Sequence, residues 1–163
     1  MGAGGSTVLE RWRAVGGTSL RVGEIVGAGL TLAQIEEAWE ASPSHRAVVL
    51  DPGWTHIGWA SARRGAAVVY VVLFSRFSTK NLLSGWEDGW FTVRGSFTPP
   101  EAQTPVLFSG IRRVEPFSWD PVARAFAFRV ASADFAPYLR LGYGTASGSL
   151  VLTDAFTPRA DER

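Results

Sequence analysis

The chain has 163 residues, 46% of them hydrophobic, enough to bury one core or two small ones. A formal charge of +1, carried by scattered arginines with Lys80 as the single lysine, excludes the clustered basic face of a dedicated nucleic-acid binder. There is no cysteine, so disulfides and thiolate metal sites are excluded, and no apolar run is long enough to span a bilayer.

Residues 1–22 read as a Gly-rich, polar N-terminal segment with one helical turn near Val8–Val15. Residues 1–6 (MGAGGS) lack the apolar centre of a signal peptide. A core region follows over 23–80. Its clearest element is a helix at Leu32–Ala41, where Thr31 and Gln34 make a capping box and Leu32, Ile35 and Trp39 share a face. Trp39 is expected to be a buried anchor for that helix. Pro43 ends it and, with Ser42 as cap, opens a short second helix through Leu50. After a turn at Asp51–Gly53, strands are expected at 55–61 and 66–75, joined at Arg63–Gly65. The second strand is continuously apolar, as in a strand covered on both faces.

Residues 81–163 read as β-rich, with strands at 90–97, 106–113, 124–131, 137–143 and 148–153 between Pro, Gly and Asp turns. That spacing suggests a small sandwich or curved sheet. Phe126, Phe128 and Val130 alternate and should share a buried face. Trp86 and Trp90 flank Glu87-Asp88-Gly89, which reads as a tight hairpin with a cross-strand Trp pair. Such a pair serves either as a packing lid or as an aromatic platform for a sugar or another flat ligand. The tail Arg159–Arg163 is expected to fray.

Glu24 and His45 are an acid–imidazole pair that the family resemblance set out below implies would share one site. A carboxylate and an imidazole suit Zn²⁺, but catalytic zinc takes three protein ligands, so a two-ligand site binds weakly. The pair also suits acid–base work, or plain structural hydrogen bonding. Arg46 is a salt-bridge or packing residue in one reading and a ligand clamp in the other. His56 falls on the solvent side of its strand. No G-x-S-x-G occurs, and the glycines of 23–29 lack a Walker lysine, so neither a serine hydrolase nor a nucleotide site is read here.

Three collinear pieces carry a resemblance: Gly23-Glu24-Ile25; then Trp39, Ser42-Pro43, and His45-Arg46; then Thr55 with Ile57-Gly58. Over residues 20–77 they resemble the CAP superfamily (cysteine-rich secretory, antigen 5, pathogenesis-related), bacterial type, in its C-terminal half. The W-x-x-S-P-x-H-R portion is the specific part. Ile25 and Ser44 replace the family's usual Asn and Gly, and of its four polar cavity residues Glu24 and His45 carry over. The resemblance implies an α+β chain: a partial α-β-α module with a small antiparallel sheet, followed by a β-rich, sandwich-like region.

The implied function is that of a secreted or envelope-associated binding protein, located outside the cell or in its envelope. Its expected ligand is a lipid or another small hydrophobic molecule, with no committed reaction. Two alternatives stand beside it: a metal-assisted hydrolase using His45 and Glu24, and a glycan or protein interaction module in the β-rich half. No nucleic acid and no transmembrane segment are expected. A final expectation comes from counting layers. A sheet apolar on both faces needs two covers, and residues 1–22 are too short to supply the second. Pairing of two chains, fold-back of the β-rich half, or a natural start further upstream would supply it, and the last is expected.

Overall fold

Thr7 accepts from the backbone N–H of Glu10 while the Glu10 carboxylate accepts from that of Thr7, and this capping box starts helix α1, Val8–Ala14. Strand β1, Val22–Gly29, follows, then α2, Leu32–Ala41, and α3, Pro43–Val49. The expected Thr31–Gln34 capping box is present at the start of α2. Strands β2, His56–Arg64, and β3, Ala67–Ser75, form a hairpin that turns at Gly65 with φ 63°. The structure, a computed structural model, describes residues 5–157, so the tail Arg159–Arg163 lies outside the described residues.

The chain divides into two units. The first holds the chain up to Gly17 and Arg21–Phe77; the second holds Thr18–Leu20 and the chain from Ser78 onwards. In the first unit the sheet runs β1-β3-β2, antiparallel throughout. Its register puts Ile25, Val72 and Trp59 in one row and Gly23, Phe74 and Ile57 in another. Since side chains alternate along a strand, both rows point to the same face, and Glu24 and Leu73 point to the other. Helix α2 sits on the first face so closely that a Cβ on Gly27 would lie 2.4 Å from Ile35 Cγ2. Val48 of α3 and the Trp54 ring cover Gly23 in the same way.

In the second unit two four-stranded sheets enclose one core. One runs β4-β5-β9-β8, from Thr79–Glu87, Trp90–Phe97, Ala125–Ala131 and Ser118–Asp120. The other runs β11-β10-β6-β7, from Leu150–Phe156, Leu139–Gly144, Thr104–Ser109 and Arg112–Val114. The expected alternation is present: Phe126, Phe128 and Val130 are buried together with Val93, Leu107, Leu141 and Tyr143. The segment Thr18–Leu20 runs along β11, with Leu20 N–H donating to Thr153 O and Ala155 N–H donating to Thr18 O, both at 2.9 Å.

The expectation of an α+β chain built on a partial α-β-α module is overturned. Half of the structure is strand (50%) and 18% is helix, in three α-helices and three antiparallel sheets, which makes the fold β-rich. Strands β1, β4 and β8 account for much of the difference. β1 carries three glycines in eight residues, a composition that ordinarily weakens a strand. β4 is broken by a bulge at Lys80–Leu83, where Asn81 takes φ 51°, so its side chains do not alternate evenly. The expected strand 106–113 is two strands, separated by a turn with Gly110 at φ 61°.

Two burial expectations also change. Ala67–Leu73 of β3 is half-buried and closes only at Phe74 and Ser75, because β2 beside it is exposed along its whole length. Trp39 is half-buried rather than buried.

Candidate functional site

Helical spacing builds the walls of a groove in the first unit. On α2, Glu36 and Glu40 stand one turn apart with Trp39 beside them; Arg46 and Val49 of α3, with Leu50 just after it, form the matching stripe. Ile25, Val72, Phe74 and Ile57 of the sheet make the floor, and the groove encloses about 750 Å³. Ile25 and Phe74 are buried, whereas Glu36, Glu40 and Arg46 are exposed. Trp39 is held there by its indole N–H, which donates to Val26 O at 3.3 Å.

The open side of the groove is apolar as well. Ile57 is 68% exposed and Trp59, next along the same face of β2, is 72% exposed. Val49 and Leu50 are exposed too. Isolated exposed apolar side chains need no explanation, but a contiguous set around a concavity marks a surface built to be covered. A shallower hollow of about 320 Å³ lies on the outer side of α3 and shares Arg46 and Leu50 with the groove.

The candidates read from the sequence are placed as follows. Arg46 lines the groove, and its side chain has no ion pair or hydrogen bond among the described residues. Glu24 lies on the opposite face of the sheet, where both carboxylate oxygens accept from Arg11 of α1 at 2.6 and 2.7 Å. His45 is half-buried on α3, and its Nδ1 is buried without a hydrogen-bond partner. No hydrogen bond joins Glu24 to His45, and no group of three or more His, Cys, Asp or Glu side chains suited to a metal ion occurs among the described residues. With one carboxylate already engaged by a guanidinium, this donor set does not fit a catalytic zinc. His56 is exposed, as expected; its Nδ1 meets Thr55 Oγ1 at 2.9 Å, and its ring meets Phe77 edge-on, with centroids 4.8 Å apart.

Trp86 and Trp90 belong to the second unit. Asp88 and Gly89 make the turn, with φ 50° and 79°, so that Glu87 pairs with Trp90 and Trp86 pairs with Phe91. A two-residue turn therefore sends the two indoles to opposite faces of the hairpin, and they do not form the cross-strand pair that their spacing suggested. Trp86 packs on Phe91 and Phe135, with ring centroids 5.4 and 5.2 Å away, whereas Trp90 is 44% exposed.

Sequence reasoning missed the groove, although Trp39, Arg46 and the acidic stripe of α2 were visible in it. Its floor comes from β1, which was not recognised as a strand. No family model matches the chain, and no curated protein matches it. No helix among the described residues is long and apolar enough to cross a membrane.

Proposed function

We propose that the protein is a binding module that takes a small hydrophobic ligand in the groove between α2, α3 and the sheet. The observation that carries this reading is a concavity of about 750 Å³ lined mainly by apolar side chains, with Glu36, Glu40 and Arg46 as its exposed charged residues. Small-molecule sites are typically concavities of about 300–1,000 Å³ with that distribution of polar groups. The resemblance of residues 20–77 to CAP-superfamily proteins, some of which take up lipids, supports the same direction, as does its implication of an extracellular or envelope location. Catalysis is not part of the proposal, because the acid–imidazole pair that would carry it is divided by the Arg11–Glu24 ion pair.

Titration with the apolar dye N-phenylnaphthylamine tests the reading. Saturable, one-to-one enhancement of dye fluorescence is expected, lost in Ile57→Glu and retained in Ile111→Glu, a substitution at a fully exposed position of the second unit. Equal enhancement in both variants would show that the dye binds elsewhere.

A further inference from the structure

The rim of the groove carries three formal charges that have nothing to neutralise them. Glu36 and Glu40 on α2 and Arg46 on α3 all line it, and among the described residues none of the three side chains makes an ion pair or a hydrogen bond. Two other charge pairs of the same unit are closed, Arg11 with Glu24 and Arg21 with Asp51, so neither of those cations is the partner of Glu36 or Glu40. The charges are also segregated. The two carboxylates stand one turn apart on one wall with Trp39 beside them, and the guanidinium stands on the other wall. Two carboxylates beside an indole suit an ammonium group, which gains both Coulombic attraction and contact with the ring. A guanidinium suits a phosphate or carboxylate, which it can engage through two parallel hydrogen bonds.

We infer that the groove selects a single-chain amphiphile with a zwitterionic head, its ammonium toward Glu36, Trp39 and Glu40 and its anion toward Arg46. The apolar tail lies on Ile25, Val72 and Phe74. This inference rests on the reading of the groove as a ligand site and adds the chemistry of the head. A purely anionic amphiphile meets two uncompensated carboxylates, and a purely cationic one meets Arg46, so each leaves one wall unmatched.

Calorimetry below the critical micelle concentration, with four probes that share one chain, separates the possibilities. The probes are dodecylphosphocholine, dodecyltrimethylammonium, dodecanoate and monododecanoylglycerol. The zwitterion is expected to bind tightest. Glu36→Gln with Glu40→Gln should narrow its advantage over dodecanoate about threefold, and Arg46→Gln should narrow its advantage over the ammonium by a similar factor, as befits solvent-exposed charge pairs. Far-UV circular dichroism confirms that each variant remains folded. Equal affinity for all four heads, or an unchanged order in the variants, would overturn the head assignment while leaving the groove a ligand site. Binding of none of the four would remove the groove reading itself. Sedimentation with phosphatidylcholine vesicles in the absence of monomer binding would also overturn the inference, since the surface would then be reading a bilayer.

Discussion

Arg11 Nη2 donates to both carboxylate oxygens of Glu24, at 2.6 and 2.7 Å, and ties α1 to the face of β1 turned away from α2 and α3. Arg11 Nη1 donates in addition to Ser6 O at 2.7 Å, so one side chain holds the start of α1 and the strand together. The Glu24 side chain is only 18% exposed, and removal of the guanidinium leaves a largely buried carboxylate uncompensated. Arg11→Ala is expected to cost about 1–2 kcal/mol in urea denaturation. Zinc affinity, measured by calorimetry, should be the same in the native chain and in Glu24→Gln. Loss of a tight one-to-one site in the variant would reinstate Glu24 as a metal ligand.

Trp39 offers a graded test of α2. Its indole N–H bonds to Val26 O and its ring lies over Gly27, yet one side remains open to the groove. Trp39→Phe should cost about 1 kcal/mol for the lost hydrogen bond. Trp39→Ala should cost about 2 kcal/mol, below the 3–5 kcal/mol usual for a fully buried aromatic. Gly27→Ala, which adds one methyl group in the path of Ile35, should destabilise by about 1–3 kcal/mol. If Gly27→Ala proved neutral by thermal denaturation, α2 would not sit where the structure places it.

The two tryptophans of the β4–β5 hairpin should separate in the same kind of measurement. Trp86 packs on Phe91 and Phe135, so Trp86→Ala is expected to cost about 2–4 kcal/mol. Trp90 faces away from that cluster, and Trp90→Ala should change stability by less than about 1 kcal/mol. Similar losses from both substitutions would contradict the register.

Asp154 gives a pH dependence with a definite sign. Burial raises its carboxyl above the ordinary range, an effect that the hydrogen bond from Thr18 Oγ1, at 2.8 Å, offsets in part. A carboxyl that keeps its proton longer when folded binds more protons in the native state than in the unfolded one. Its contribution to stability is therefore complete in acid, and it is lost as pH rises from the ordinary aspartate range through the raised value. Asp154→Asn should match the native chain in acid and exceed it at neutral pH in urea midpoint. A native chain that loses stability toward acid through this residue would reverse the assignment.

Residues that act through local chemistry were legible in the sequence. Thr31 and Gln34 start α2 because their side chains satisfy backbone N–H groups within one turn, whatever the rest of the chain does. Phe126, Phe128 and Val130 declared a strand because a period of two is a property of the backbone itself. Asp88-Gly89 declared a turn because both residues tolerate positive φ. What the tertiary structure decided is everything that depends on a partner far along the chain. β1 is a strand in spite of its glycines because β3 pairs with it and α2 needs Gly27 bare to approach. Register alone sent Trp86 inward and Trp90 outward. The groove exists because β1, β2 and β3 bring Ile25, Ile57 and Val72 beneath helices whose stripes carry Glu36, Glu40 and Arg46. Local propensity stores no information about such distant neighbours, so the charges were visible in the sequence and the concavity between them was not.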